Sequence, residues 1–282
     1  MKHSTIEHGR LHTFGVRVLT GALLSATIIL LLLASSHPYV IETAAAVLGV
    51  IGVYEILHAA GQADSWAVTS FAMLVAALLP YVPIPKYAYA MTLLYPIGLI
   101  GSVLLILFMQ KVSLKKDGLL MLCCLWTVFL WRCAPALRAC KDGLFWLSAS
   151  VIAAEGNDIF AYCVGSALGK HPLCPAISPH KTVEGWIGGI LGTVVLAVAL
   201  FFFLQSSVVF PIGFVETLLF ALCCAMLGSV GDLFFSACKR ILGVKDFGNC
   251  LPGHGGILDR MDSLLFALPV ALLWATYSHA GF

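Results

Sequence analysis

The sequence predicts an all-α, polytopic membrane protein with about nine transmembrane helices, and three observations carry that prediction. Hydrophobic residues make up 60% of the 282 positions and charged residues only 11%, against roughly 25% charged in a soluble domain. The mean hydropathy is +0.98. Apolar runs of about 20 residues, the length that crosses a bilayer core, recur from one end of the chain to the other. Little is left over for a soluble domain, so chemistry has to sit between helices or on the loops that join them.

Residues 1–17 are polar and basic, with Lys2, Arg10 and Arg17, and lead into an apolar run at 16–36. That run exceeds the roughly 7–15 residues of a signal-peptide core, so it is predicted to remain as the first span. Further runs lie at 40–60, 66–84, 88–109, 118–136, 144–167, 184–205, 212–236 and 262–280. A helix in lipid can be apolar all round, so length and charge breaks set these limits rather than periodicity. Glu42 and Glu55 weaken the second run, and the proline-rich YVPIPK closes the third. The chain divides into an N-terminal membrane region, 1–140, with about five spans, and a region at 141–282 that carries the polar clusters.

Charge asymmetry orients these spans. With the N-terminus inside, the cytoplasmic segments hold twelve of the sixteen Lys and Arg: Lys2, Arg10, Arg17, Lys111, Lys115, Lys116, Lys170, Lys181, Lys239, Arg240, Lys245 and Arg260. Cytoplasmic loops are the basic ones. Lys86, Arg132, Arg138 and Lys141 fall on the other side, the last three against the rule. The 170–181 and 239–262 loops share a face whatever the span count before residue 140. The net charge of +2 gives no ground for a nucleic-acid partner. Ten cysteines contain no CxxC pair, and Cys123, Cys124, Cys163, Cys223, Cys224 and Cys238 lie in or beside apolar runs, where they act as small apolar residues.

Polar residues at depth mark the functional region. In AEGNDIFAYCVG, Glu155, Asn157 and Asp158 interrupt an apolar run, and a carboxylate near mid-bilayer costs roughly 2.5 kcal/mol or more on insertion scales. Helical spacing puts Glu155, Asp158 and Tyr162 on one face. They either pair with a basic neighbour to hold the bundle together or line a cation or substrate pocket, the default for intramembrane carboxylates. The following GKHPLCPAISPHKTVEGWIGG offers Lys170, His171, His180 and Lys181 beside Ser178 and Thr182, a mixture suited to phosphate oxygens. It is not a Walker A loop, because GSALGKH is one residue short between its glycines and has His171 where Ser or Thr should stand. Gly185, Gly188, Gly189 and Gly192 have the small-xxx-small spacing of helix packing.

Half of the eight aspartates fall in the stretch GDLFFSACKRILGVKDFGNCLPGHGGILDRMD: Asp232, Asp246, Asp259 and Asp262. Asp232, Ser236 and Lys239 or Arg240 recur at intervals of three and four and so line one helical face. Asp259 and Asp262 are also three apart, where the last apolar run begins. Between these two helix ends, the one after Lys239 and Arg240 and the one at Asp259, runs a loop with Gly243, Gly248, Gly253, Gly255 and Gly256, whose backbone can approach a ligand closely. Aspartates converging beside lysine and arginine suit divalent-metal phosphoryl chemistry. Hard oxygen ligands select Mg²⁺, which binds through one or two carboxylates plus substrate phosphates. Zinc is disfavoured, since His254 has no cysteine or histidine partner at ligand spacing.

SACKRILGVKDFGNCLPGHGGILDRMD closely resembles the signature of the phosphatidate cytidylyltransferase family, the CDP-diacylglycerol synthases: S-x-x-K-R, then K-D, then H-G-G-x-x-D-R-x-D. The NDIFAYCVGSALGKHPLCPAISPHKTVEGWIGG block is similar to a second block of that family, so the resemblance covers about the last 125 residues. It implies an all-helical membrane fold, dependence on Mg²⁺ and a homodimer. It implies attack by the phosphate of phosphatidic acid on the α-phosphorus of CTP, releasing pyrophosphate. Carried over by position, it makes Asp232, Asp259, Asp262 and Asp246 the expected metal ligands and Asp158 an intramembrane acid completing the polar cavity. Ser178, Lys181, Lys239, Arg240, Lys245 and Arg260 are expected at the substrate phosphates, with Ser236 beside them, and His254 as a hydrogen-bond donor or weak base. The family commonly has an acid after GDLF, where this chain has Phe235.

A diacylglycerol tail must stay in lipid while CTP arrives from the cytoplasm, so the expected site is a polar cavity facing the cytoplasm and open to the bilayer. Without an Asn-x-Ser/Thr site or a long tail, the chain is expected in a bacterial inner membrane. Two rivals stand beside this reading. Another Mg-dependent lipid phosphotransferase, of the CDP-alcohol type, needs a D-G-x-x-A-R run, which neither Asp117 nor Asp142 begins. A transporter coupling ions through Asp158 and Glu155 predicts an internal duplication, and neither polar block has a convincing second copy.

Overall fold

The computed structural model describes residues 2–61, 66–82, 95, 98, 100–101, 116–204, 212–252 and 255–277. The helices are α1 (Lys2–Ala34), α2 (Val40–Ala59), α3 (Trp66–Leu78) with a 3₁₀ turn at Leu79–Tyr81, α4 (Lys116–Arg138), α5 (Gly143–Leu168), α6 (Val183–Leu204), α7 (Phe214–Leu242) and α8 (Leu258–Tyr277). Between α5 and α6 lies a short antiparallel hairpin, β1 (Pro172–Cys174) and β2 (Ser178–Thr182), which the all-α expectation did not include. Among the described residues, four helices are long and apolar enough to cross a membrane: Val40–Ala59, Leu120–Arg138, Val183–Leu204 and Phe214–Leu242. The expected run at 88–109 falls almost entirely outside the described residues.

Helix α8 is the centre of the bundle and packs against α7, α5, α4 and α2. From Leu258 to Leu272 every residue except Arg260 is buried. Its apolar residues therefore meet protein on all sides, and Asp259 and Asp262 are enclosed by neighbouring helices instead of lipid. Phe234, Phe235, Phe247 and Phe266 pack edge-on around this helix, with ring centroids 5.1–6.3 Å apart. Phe235, at the position where an acid was noted as common, is fully buried in this aromatic group. An acid there would face hydrocarbon.

Two boundaries differ from the hydropathy limits, and both matter for chemistry. Helix α7 ends at Leu242 rather than 236, and α8 begins at Leu258 rather than 262. Hydropathy falls where charges enter, yet the backbone ladder continues because Lys239 is buried and paired. Gly243, at φ +80°, supplies the left-handed turn that ends α7. Two of the cations on the minority side of the charge count, Arg132 and Arg138, have structural partners. Arg132, 4% exposed, donates to the Val82 carbonyl, and Arg138 Nε donates to the Ser35 carbonyl at 3.0 Å. Both tie α4 to neighbouring connections.

The glycine spacing in α6 is a packing surface against α5. An added Cβ would lie 2.5 Å from Val164 at Gly188, 2.8 Å from Asn157 Oδ1 at Gly189 and 2.3 Å from Phe160 at Gly192. Helix α5, which carries Asp158, is thereby held close to α6. Gly192→Ala is expected to lower stability by about 1–3 kcal/mol, the usual cost of overpacking. Thermal unfolding in detergent measures this, and an unchanged midpoint would contradict the packing role.

Candidate active site

Close approach of α7 and α8 builds the acidic part of the site. A Cβ on Gly231 would stand 2.7 Å from the Asp262 carbonyl oxygen, so that contact requires glycine. It sets Asp232 on α7 beside Asp262 on α8. Asp158 arrives from α5, its Oδ1 accepting a hydrogen bond from Ser263 Oγ at 3.3 Å. The three carboxylates are within electrostatic range of one another. Beneath them Asn157 Nδ2 donates to Ser229 Oγ at 3.1 Å and ties α5 to α7.

Cations reach this group from two directions. Lys181, at the end of the hairpin, donates to Asp232. The hairpin is held by Glu184, which accepts the Lys170 and His171 backbone N–H groups at 3.1 and 3.2 Å and pairs with His171 Nδ1 at 2.5 Å. Thr182 Oγ1 accepts the Gly185 N–H at 3.1 Å, an N-cap that starts α6 immediately after Lys181. Lys239, from within the bundle, donates to Asp259 Oδ1 at 2.7 Å and lies 5.5 Å over the Phe247 ring. The other Asp259 oxygen accepts N–H groups from Phe247 at 2.9 Å and Gly256 at 3.0 Å.

These groups enclose a cavity of about 500 Å³. Of the residues expected at a site, Asp158, Lys181, Asp232, Lys239, Asp246, Asp259, Arg260 and Asp262 line it. Ser178, Ser236, Arg240 and Lys245 are not among its lining residues. Ser236 Oγ donates to Asp232 Oδ1 at 3.3 Å. Arg240 donates to the carbonyls of Ile177 and Val244 at 2.9 and 3.1 Å, joining hairpin, helix end and loop. Ser178 pairs with Cys174 in the hairpin, and Lys245 is exposed on the loop. His254 lies outside the described residues. His180 and Thr182, from the polar stretch read as suited to phosphate, also line the cavity, as do Trp186 and Ser229, which were not singled out; single uncharged residues in apolar helices give no sequence signal of their own.

The donor set fits Mg²⁺ as an ion shared between protein and substrate. Among the described residues no group of three or more His, Cys, Asp or Glu is arranged to hold an ion alone. Mg²⁺ does not require one, because it binds through one or two carboxylates together with substrate phosphates and water. Asp262 is 6% exposed, and no ion pair to it is found among the described residues. A buried carboxylate beside two others is a hard-oxygen set that suits a divalent cation. Asp259 differs, since Lys239 and two backbone N–H groups already occupy its oxygens.

Comparison with known proteins follows the same lines. The profile of the cytidylyltransferase family matches residues 15–278. The phosphatidate cytidylyltransferase of Bacillus subtilis (strain 168) is 47% identical over 127 residues, 45% of this chain and 46% of that protein. Those of Staphylococcus haemolyticus (strain JCSC1435) and Staphylococcus aureus (strain COL) are each 42% identical over 130 residues, 46% of this chain and 48% of theirs. The matched segment thus spans about half the length of these curated relatives.

Proposed function

The chain belongs to the cytidylyltransferase family, and from that premise we propose that it acts in phospholipid synthesis, transferring CMP from CTP to phosphatidic acid. A phosphate oxygen of phosphatidate forms a bond to the α-phosphorus of CTP. The bond from that phosphorus to the β-phosphate oxygen breaks, and pyrophosphate leaves with CDP-diacylglycerol as the second product. One observation carries the assignment: Asp158, Asp232 and Asp262, from three helices, converge on a cavity also lined by Lys181 and Arg260.

The roles follow from position. Asp232 and Asp262 would hold Mg²⁺ together with substrate phosphates, Asp158 completing the polar cavity; the ion when bound offsets charge on the phosphate oxygens. Lys181 pairs with Asp232 and is placed to turn towards a phosphate. Arg260, exposed at the first turn of α8, faces the same cavity and suits bidentate phosphate recognition. Lys239 and Asp259 brace the loop that carries Asp246. Phosphatidate is ionised at neutral pH, so the attacking oxygen needs no strong base.

The wider setting is proposed with the activity. The basic bias supports an N-terminus and an active site on the cytoplasmic side of an inner membrane, with about nine spans. The resemblance supports a homodimer.

The test is pyrophosphate release by the purified protein in detergent with phosphatidic acid, comparing CTP with other nucleotides, with and without Mg²⁺. Release that needs CTP, lipid and Mg²⁺ together is expected. No release from folded protein across lipid conditions would overturn the reading. Light scattering on the same sample gives the mass of the assembly.

A further inference from the structure

The second apolar run looked weak because it holds Glu55, and the structure gives that carboxylate a place. Glu55 is 2% exposed on α2. Its Oε1 accepts the Ile257 N–H at 2.9 Å and its Oε2 accepts the Leu258 N–H at 2.9 Å. These amides belong to the N-terminus of α8, where helical N–H groups have no partner of their own and the dipole favours negative charge. Among the described residues no lysine, arginine or histidine forms an ion pair with Glu55. Its charge is met by the helix end.

The loop is shaped around the same carboxylate. A Cβ on Gly248 would lie 2.4 Å from Glu55 Oε1, and one on Gly256 would lie 2.6 Å from Oε2. Two glycines of the loop therefore close over the Glu55 oxygens, with Phe247 and Gly256 donating next to them to Asp259. Leu258 is directly followed by Asp259, and Asp262 lies one turn further along α8. Any shift at the Glu55 contact moves both aspartates.

We propose that Glu55 is a positioning residue for the proposed reaction, fixing the first turn of α8 and hence the aim of Asp262 and the Asp259–Lys239 brace. The inference rests on the cytidylyltransferase reading for its catalytic part and on the contacts alone for its geometric part. Glu55→Gln is nearly isosteric but turns an amide N–H towards one of the two backbone donors. Glu55→Asp keeps the charge and is a methylene too short to hold both.

The experiment compares wild type, Glu55→Gln, Glu55→Asp, Glu55→Ala, Gly256→Ala and the Glu55→Ala/Gly256→Ala double variant. In Glu55→Gln, kcat is expected to fall about 10–100-fold, as when an outer-shell partner is lost. KM for CTP and the unfolding midpoint should change little. Glu55→Asp should recover part of kcat. Hydrogen exchange at Ile257 and Leu258 should speed up by about tenfold in Glu55→Gln. In the double variant the Gly256 methyl no longer meets a carboxylate, so its effect should be smaller than in the wild-type background.

Unchanged kcat per folded molecule in Glu55→Gln, or unchanged exchange at those two amides, overturns the proposal. So does a fall in unfolding midpoint that accounts for the whole loss of activity. Should wild type itself release no pyrophosphate, the activity reading fails separately. Exchange and the Glu55–Gly256 coupling, read from unfolding, then decide whether Glu55 positions α8.

Discussion

Lys239→Met is expected to destabilise the protein by about 3–5 kcal/mol, the cost of leaving one member of a buried ion pair alone, and to abolish turnover. Lys239 and Asp259 are 7% and 9% exposed, so water cannot replace the lost partner. Methionine fills similar volume and keeps the Phe247 contact apolar, which isolates the charge as the cause. The decisive comparison is Lys239→Met/Asp259→Asn. Removing the orphaned carboxylate should return part of the stability, because asparagine still offers one acceptor to the Phe247 and Gly256 N–H groups. Activity should not return, since the loop carrying Asp246 loses its brace. Unfolding in detergent and pyrophosphate release measure the two arms. A Lys239→Met midpoint equal to that of wild type, or a double variant less stable than the single, would show that the pair does not brace the site.

Much of this arrangement was legible in the residues, for physical reasons that also explain what was not. Charges are costly in apolar helices, so Asp158, Asp232 and Asp262 stood out, and periodicity put Asp232 and Ser236 on one face. Hydropathy could not show that α7 continues to Leu242, because a buried ion pair hides lysine from lipid as well as an apolar residue would. Nor could it show the hairpin that delivers Lys181, since strands of 3 and 5 residues are too short to carry a legible period. Glu55 was the least legible. Its partners are 202 and 203 positions away in the chain, and the backbone N–H groups that answer it carry no sequence signal of their own. The same blindness applied to Asp259 and Asp262. Spacing made them equivalent; the structure gives one a full set of donors and leaves the other facing two more acids.

That difference predicts opposite stability effects for two aspartates one helical turn apart. Asp262→Asn is expected to lower turnover about 10²–10³-fold, the usual loss when one preorganised charge is removed from a site. In EDTA it should also raise the unfolding midpoint above that of wild type. Asp158, Asp232 and Asp262 repel one another at low dielectric, and the two lysines within electrostatic range, Lys181 and Lys239, are paired with Asp232 and Asp259 rather than with Asp262. Asparagine removes a charge while its side-chain oxygen still accepts the Ser263 N–H that Asp262 holds at 2.9 Å. Activity and apo stability thus oppose each other here, as at other sites selected for function. Mg²⁺ should reverse the order. An ion that binds only the folded protein adds about 2.7 kcal/mol at a hundredfold excess over its Kd, and wild type gains it while Asp262→Asn gains less. Asp259→Asn should be the less stable protein with or without Mg²⁺, because it leaves Lys239 buried without its carboxylate partner. Melting the three proteins in EDTA and in Mg²⁺ separates the roles. Equal Mg²⁺-dependent shifts in wild type and Asp262→Asn would remove Asp262 from the metal set, and a lower EDTA midpoint for Asp262→Asn would mean that the carboxylates do not strain the fold.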